Sequence, residues 1–89
     1  MPHVLSLEGK IALVTGSSQG IGETIARRLA FAGATVLVAA RNQERAAAVA
    51  ASIADAGGSA EAVPLDVADP TSVPALFKGI AERHGRLDI

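Results

Sequence analysis

The sequence predicts an α/β fold organised around a doubly wound parallel sheet, and three features of the chain lead to that prediction. Short, continuous apolar runs alternate with segments in which apolar residues recur at helical spacing, and glycine or Asp-Pro separates most of them. An unbroken apolar run is typical of a strand buried on both faces of a parallel sheet, because a sheet with one wet face gives an alternating pattern. The resulting βαβαβα order predicts right-handed crossovers that place helices on both faces of the sheet.

The first strand and the first helix are expected on either side of a glycine-rich turn. Residues 11–14 form an apolar run bounded by Lys10 and Gly16, and this run predicts the first buried strand. The apolar positions that predict the first helix are Ile21, Ile25, Leu29 and Ala32. Gly33 follows them and supplies the expected end of the helix.

The second strand and the second helix have the clearest patterns. Thr35–Ala40 is rich in β-branched and apolar residues and ends at Arg41 and Asn42, so it predicts a second buried strand. The helix that follows is rich in alanine, and its apolar positions are Ala46, Val49, Ala50 and Ile53. Gly57 and Gly58 mark its expected end.

The remaining sequence predicts a weaker third strand, a third helix and the beginning of a fourth strand. Residues 60–66 form the predicted third strand, and Pro64 inside it is tolerated mainly at the edge of a sheet. Asp69 and Pro70 are expected to open the third helix as its N-cap and first-turn proline. The apolar stripe of that helix comprises Val73, Leu76, Phe77 and Ile80. The helix is expected to end at the next glycine, and residues 87–89 then begin a truncated fourth strand.

The composition of the chain limits which classes of partner the protein is expected to bind and where in the cell it is expected. The chain has 89 residues and a net charge of -1, with no basic or acidic tail, and only 2% of its residues are aromatic. Neither nucleic acid nor a membrane is therefore an expected partner. The absence of cysteine excludes a disulfide framework and a thiolate metal site, and we expect no bound metal. The first residues do not form a secretory signal peptide, and together these features predict a cytoplasmic protein.

The stretch VTGSSQGIG fits two motifs that imply different chemistry. Gly16, Ser18 and Gly20 match G-x-S-x-G, in which the serine is the nucleophile of a hydrolase. That mechanism needs a histidine later in the chain, and the only candidate, His84, falls on the third helix. A partly buried or helix-terminal structural role is expected for His84, so the hydrolase interpretation is disfavoured.

The same stretch also matches G-x-x-x-G-x-G, a turn that cradles the pyrophosphate of a dinucleotide. Gly16 lets the chain leave the strand in a conformation that a side chain would hinder, and Gly20 lets the backbone approach the pyrophosphate. Gly22 lets the helix pack against the strand, and the helix N-terminus favours an anion. A P-loop does not fit, since Ile21 replaces its second glycine and no lysine follows. A tight turn without a ligand is the remaining alternative.

Two residues at the end of the second strand indicate which dinucleotide is bound. At this place an acid bonds the ribose hydroxyls of NAD, whereas an arginine accommodates the 2′-phosphate of NADP. Ala40 cannot bond the ribose and Arg41 follows it, so NADP(H) is favoured through a charge-assisted contact. NAD(H) is the alternative cofactor, and an ordinary solvated arginine is the alternative interpretation of Arg41.

Together these features resemble the short-chain dehydrogenase/reductase family over essentially the whole chain. LEGKIALVTGSSQGIG is similar to the T-G-x-x-x-G-x-G start of that family, and VLVAARN to the second-strand end of its NADP-preferring members. LDV is similar to its adenine-contacting loop, and GRLDI to the run into its fourth strand. The resemblance implies a Rossmann-type fold, of which residues 1–89 are the N-terminal part of a single NAD(P)-binding domain.

The resemblance also implies which residues contact the cofactor. With the glycines Gly16, Gly20 and Gly22, the implied residues are Ser17, Ser18, Gln19, Ile21, Arg41, Asn42, Asp66 and Val67. The first four would line the phosphates and ribose, the arginine and asparagine would meet the 2′-phosphate, and the last two would meet the adenine. A turn-forming or capping acid is the alternative interpretation of Asp66. Many NADP-preferring relatives carry a basic residue where Gln19 stands, so discrimination against NADH is expected to be partial.

The implied activity is transfer of hydride between nicotinamide and the carbon of a carbonyl or alcohol, on a small-molecule substrate such as a 3-oxoacyl thioester. The family's catalytic serine and Tyr-x-x-x-Lys pair would lie beyond Ile89, and the chain contains no tyrosine. No catalytic residue is therefore assigned, and the 89 residues alone are expected to be inactive. Family habit implies a homotetramer or dimer for the intact protein. The alternative function is a non-catalytic nucleotide-binding or interaction module.

Overall fold

The computed structural model describes residues 6–16, 20–66 and 68–89, and in these ranges strands and helices alternate in the predicted order. The strands are β1 (Ile11–Thr15), β2 (Thr35–Ala40) and β3 (Ser59–Pro64). The helices are α1 (Gly20–Phe31), α2 (Gln43–Asp55) and α3 (Ser72–His84). The strands form one parallel sheet in the order β1-β2-β3, so the predicted α/β class is confirmed.

β2 is the central strand of these three. Its paired register begins at Ile11↔Thr35 with β1 and at Thr35↔Ser59 with β3. Residues 36–40 are all buried, which explains why the sequence shows an unbroken apolar run here. Because the strands are parallel, their carboxyl ends meet at one edge of the sheet, which we call the carboxyl edge.

Helices cover both faces of the sheet, as predicted. α1 and α2 pack on one face against the side chains of Ala12, Val14, Val36 and Val38. α3 packs on the other face against Leu37, Ala39, Val63 and Leu65. None of the helices in the described ranges is long and apolar enough to cross a membrane.

The buried stripe of α1 differs in part from the predicted stripe. Ile21 and Ile25 are 80% and 46% exposed, whereas Ala26 and Ala30 are buried. The predicted Leu29 does pack against the core, so the prediction was wrong for the two isoleucines and not for the whole stripe. Gly22 is half-buried, one helical turn before the buried Ala26.

The predictions for β2 and α2 are confirmed. β2 has the predicted bounds, Thr35–Ala40. The buried residues of α2 are the four predicted ones, Ala46, Val49, Ala50 and Ile53. α2 ends at Asp55, just before the two glycines that were expected to stop it.

The junction between β3 and α3 differs from the prediction. β3 ends at Pro64, earlier than predicted, although it does lie at an edge of the three-stranded sheet. α3 begins at Ser72 with Thr71 as its N-cap, so the assignment of Asp69 and Pro70 to the helix start was wrong. The Asp69 carboxylate instead accepts hydrogen bonds from the backbone N and hydroxyl of Thr71 at 2.9 and 2.8 Å, and these bonds stabilise a turn ahead of the helix.

α3 is attached to the sheet by two buried apolar side chains and by contacts of Arg83 and His84 with Glu61 on β3. Leu76 and Ile80 are buried, but half of the predicted stripe is not. The exposed members are Val73 at 39% and Phe77 at 46%. At the end of α3, the half-buried His84 lies 3.3 Å from the carboxylate of Glu61 on β3, which confirms the expected helix-terminal, partly buried position of this histidine.

After α3 the chain runs alongside β1. The backbone N of Asp88 donates to the carbonyl of Ile11, and the N of Leu13 donates to the carbonyl of Ile89, both at 2.9 Å. In a parallel pair, the residues of one strand that bond to the neighbouring strand are two positions apart, as Ile11 and Leu13 are here. The two bonds fit the predicted start of a fourth strand, although these residues are too few to be assigned as one.

The side chain of Asp88 strengthens the same edge of β1. Its carboxylate accepts hydrogen bonds from the guanidinium of Arg86 at 3.0 Å and from the backbone N of Ile11 at 2.9 Å. These bonds, with that from Arg86 foremost, lower the pKa of Asp88 below its ordinary value. A carboxyl group whose pKa is lowered by folding stabilises the fold above its unfolded pKa, and this contribution is lost as the pH falls through the folded pKa.

We expect Asp88→Asn to lower the melting temperature at pH 7, because a neutral amide loses the charge-assisted bonds to Arg86 and Ile11. The difference from the wild type should shrink as the pH falls below about 4, where the wild-type carboxyl also becomes protonated. Thermal unfolding followed by circular dichroism between pH 7 and pH 3 measures this. Asp55→Asn, at the exposed end of α2, is the matched control and should not lower the melting temperature. Equal melting temperatures of Asp88→Asn and the wild type at pH 7, or a difference that does not change with pH, would contradict the stabilising role of the Asp88 carboxylate.

Candidate functional site

The candidate site lies at the carboxyl edge, where the connections that follow β1, β2 and β3 leave the sheet. Two backbone hydrogen bonds hold these connections side by side. The N of Gly16 donates to the carbonyl of Ala39 at 2.9 Å, and the N of Leu65 donates to the carbonyl of Ala40 at 3.2 Å. In open α/β sheets, ligands bind in the crevice outside this edge.

Gly16 has the special backbone conformation that the sequence predicted, and Gly20 has a similar one. Gly16 and Gly20 have φ angles of 63° and 62°, a left-handed region that other residues rarely adopt. Among the described residues, no heavy atom lies within 4 Å of the position that a Cβ would take at either glycine. The positive φ angles, and not close packing against the described residues, are therefore what favours glycine at these two positions. The predicted residues Ser17, Ser18 and Gln19 lie outside the described residues.

The N-terminus of α1 faces this turn. α1 begins at Gly20, so its first backbone N–H groups lack partners within the helix and carry the positive end of the helix dipole. The carboxylate of Glu23 in the first turn forms an ion pair with Arg27 at 2.8 Å, so Arg27 balances the negative charge of this residue. Arg27 also donates to the hydroxyl of Ser52 on α2 at 3.0 Å. The arrangement favours an anion beside the glycine turn.

The connection between β2 and α2 consists of only Arg41 and Asn42. Arg41 is exposed directly after the buried Ala40, and within the described part of the chain no hydrogen bond or ion pair engages its guanidinium. Asn42 is the N-cap of α2, and its side-chain oxygen accepts a hydrogen bond from the backbone N of Arg45 at 3.1 Å. Asn42 is thus engaged in capping, whereas Arg41 presents an available cation at the carboxyl edge.

Gln43, the first residue of α2, was not singled out by the sequence analysis. Its side-chain nitrogen donates to the carbonyl of Ala40 at 2.7 Å and to that of Val63 at 3.0 Å. Both partners are acceptors, so the carboxamide must present its NH₂ group to them. The available sequence signal was the short connection, which places the first turn of α2 within reach of the strand ends, but glutamine is also an ordinary helix residue.

Asp66 lies just beyond β3 and forms a turn. Its carboxylate accepts a hydrogen bond from the backbone N of Ala68 at 3.0 Å, and its own N donates to the hydroxyl of Ser72 at 2.8 Å. The turn-forming interpretation of Asp66 is therefore observed. The half-buried residue also lies at the carboxyl edge, as an adenine contact requires. Val67, its predicted companion, lies outside the described residues.

A further concave feature of the described residues lies away from this edge. A groove of about 450 Å³ separates the C-terminal ends of α1 and α2 and is lined by Arg27, Ala30, Phe31, Ile53 and residues 56–58. Crossover helices return antiparallel to the strands, so this groove lies at the opposite edge of the sheet. In the described ranges no group of three or more histidine, aspartate or glutamate side chains could hold a metal ion.

Comparison with other sequences identifies a single family. A profile described as short chain dehydrogenase matches residues 10–89. The chain is 49% identical over 80 residues to a 3β-hydroxysteroid dehydrogenase of Mediterraneibacter gnavus, and the aligned region covers 90% of this chain and 29% of that protein. It is 43% identical over 89 residues to the rhamnolipids biosynthesis 3-oxoacyl-[acyl-carrier-protein] reductase of Pseudomonas aeruginosa, and the aligned region covers 100% of this chain and 34% of that protein.

Solved structures show the same fold. A metagenomic short-chain oxidoreductase, crystallised in complex with NADP, superposes with a TM-score of 0.89 at 41% identity, over 92% of this chain and 37% of that chain. The chain thus spans between 29% and 37% of the length of these relatives. The profile match covers the glycine turn, all three strands and all three helices. The chain therefore belongs to the short-chain dehydrogenase/reductase family.

Proposed function

We propose that these residues form the NADP(H)-binding part of an oxidoreductase that moves hydride between nicotinamide and the carbon of a carbonyl or alcohol. The observation that carries the proposal is Arg41, an exposed and unpaired cation, among the described residues, directly after the buried Ala40. The bond from Gly16 to the carbonyl of Ala39 keeps this cation close to the glycine turn. Support also comes from the relatives, which are named as dehydrogenases and reductases, and from the similar structure that contains NADP.

The residues at the carboxyl edge fit the charged groups of NADP(H). The backbone N–H groups at the start of α1 would hold the pyrophosphate, because they lack partners within the helix. Arg41 would hold the 2′-phosphate, and Asn42 would bound the same pocket while it caps α2. Asp66 would border the adenine, with Val67 beside it. The turn residues Ser17, Ser18, Gln19 and Ile21 would line the phosphates and ribose through backbone groups.

The preference for NADP(H) over NAD(H) follows from one pair of residues. The ribose of NADH presents a 2′-hydroxyl that needs an acceptor, and Ala40 supplies none. The 2′-phosphate of NADPH instead finds the guanidinium of Arg41, and such a charge-assisted bond contributes on the order of 1.5 to 3 kcal/mol. Because Arg41 is exposed, salt screens this contribution. The expected preference is therefore moderate and decreases with ionic strength.

In the proposed reaction the bound cofactor supplies or accepts the hydride, and the residues of this chain bind and orient it. The family resemblance assigns the proton to a tyrosine with a neighbouring lysine, and the chain contains no tyrosine. Residues 1–89 thus provide cofactor affinity and specificity. For the intact protein we propose the homodimeric or homotetrameric state of the family and a cytoplasmic location, the latter supported by the absence of cysteine.

We expect Arg41→Ala to raise the Kd for NADPH by about 10- to 150-fold, the equivalent of one hydrogen bond to a charged group. The Kd for NADH should change little, because its ribose lacks the phosphate. Cofactor fluorescence, titrated with the protein as naturally encoded at low and high salt, measures both constants. Arg28→Ala is the matched control, since Arg28 is an exposed arginine in the last turn of α1, away from the carboxyl edge. If the ratio of the two dissociation constants in Arg41→Ala equals that of the wild type, Arg41 does not bind the 2′-phosphate.

For the substrate we propose a 3-oxoacyl thioester, which would be reduced to the 3-hydroxyacyl thioester. The support is the 43% identity over all 89 residues to the Pseudomonas aeruginosa reductase, together with 40% identity to a putative ketoacyl reductase of the granaticin polyketide synthase of Streptomyces violaceoruber. Consumption of NADPH should be faster with a 3-oxoacyl thioester than with a 3-keto steroid. The steroid control is informative because the Mediterraneibacter gnavus relative is a steroid dehydrogenase. Faster turnover of the steroid would overturn the substrate assignment.

A further inference from the structure

Gln43 joins two strands of the sheet through a single side-chain atom. Its Nε2 lies 2.7 Å from the carbonyl oxygen of Ala40 on β2 and 3.0 Å from that of Val63 on β3. Ala40 pairs with Pro64 in the last rung of the β2–β3 ladder, so the bridge is made at the carboxyl edge. Both hydrogen bonds are partly buried, which makes them electrostatically stronger than bonds in water.

Few side chains could make this bridge. It requires two donor hydrogens on one atom, at the end of a stem long enough to reach back over the first turn of α2. Asparagine has the donors on a shorter stem, whereas methionine has the length and no donor. An ionised glutamate has the length but would direct an acceptor at two carbonyl oxygens. The bridge therefore depends on the carboxamide itself and on its reach.

The bridge fixes both sides of the connection that carries Arg41. Only two residues separate Ala40 from Gln43, and the second of them, Asn42, is held by its cap bond to the N of Arg45. The backbone of Arg41 is thus tethered on either side while its side chain stays unpaired within the described residues. On β3, the carbonyl of Val63 shortly precedes the turn that contains Asp66, so the same bridge also sets the spacing of that turn from Arg41.

We propose that Gln43 is a positioning residue for the adenosine end of the cofactor. Its carboxamide fixes the separation of the β2 and β3 ends, and through that separation it directs Arg41 at the 2′-phosphate. Gln43 acts through Arg41 and does not itself contact the cofactor. The inference rests on the proposed function, because it requires that a 2′-phosphate be bound beside Arg41.

The test is Gln43→Met in the protein as naturally encoded, with Kd measured for NADPH and for NADH well below the melting temperature. We expect the Kd for NADPH to rise about 3- to 10-fold more than the Kd for NADH, which corresponds to the loss of one or two neutral hydrogen bonds. A general loosening of the fold would weaken both cofactors equally. Ala47→Met is the matched control, because it introduces the same side chain at an exposed position of α2 without a change of charge, and it should leave the ratio unchanged.

Two further variants test whether Gln43 acts through Arg41. If Gln43 acts through Arg41, then adding Gln43→Met to Arg41→Ala should leave the ratio of the two constants where Arg41→Ala alone puts it. If Gln43→Met does not fold, Gln43→Asn retains the carboxamide on a stem that reaches one carbonyl, and it should give a smaller decrease in the preference for NADPH.

The outcomes separate the two proposals. A wild-type protein without preference for NADPH, or a preference that Arg41→Ala leaves intact, would overturn the proposed function. A wild-type preference that Arg41→Ala abolishes, but that Gln43→Met and Gln43→Asn both leave intact, would overturn the role of Gln43 alone. An equal loss of affinity for both cofactors in Gln43→Met would also overturn it.

Discussion

Burial of β2 between two parallel partners is the constraint on which the rest of the structure depends. Residues 36–40 are buried, and the strand bonds to β1 along one side and to β3 along the other. Slipping a strand by one residue would turn each of its side chains to the opposite face, away from the helix side chains against which it packs, so the packing of α1 and α2 on one face and of α3 on the other holds the registers. Fixed registers bring the carboxyl ends of the three strands level, and the proposed cofactor site lies at that edge.

Two sets of hydrogen bonds hold the strand ends and the connections that follow them together at the carboxyl edge. A backbone bond from Gly16 to Ala39 ties the glycine turn to β2, and the carboxamide of Gln43 ties β2 to β3. The α1 N-terminus and Arg41 then present positive potential at two places along one edge, which matches a ligand with two separated phosphate groups. Cofactor recognition in this account is a property of backbone geometry together with one exposed arginine.

The sequence predicted those features whose cause is local or is burial on both faces. The bounds of β2, the buried face of α2 and the positive φ of Gly16 follow from an unbroken apolar run, helical periodicity and glycine spacing. The face of α1 was predicted only in part, because the small side chains of Ala26 and Ala30 are buried and the large isoleucines are exposed. Gln43 was missed because its importance depends on a carbonyl of β3, twenty residues away, that only the folded register brings within reach.

A crystal structure of the protein, as naturally encoded, with NADP⁺ bound would show directly whether the carboxyl edge holds the cofactor. The account predicts oxygen atoms of the 2′-phosphate within about 2.7–3.2 Å of the Arg41 guanidinium. It also predicts the pyrophosphate over Gly16 and Gly20 at the N-terminus of α1, with the two bonds of Gln43 to the strand ends retained. A cofactor whose 2′-phosphate lies away from Arg41, or whose pyrophosphate binds elsewhere than at the glycine turn, would contradict the account.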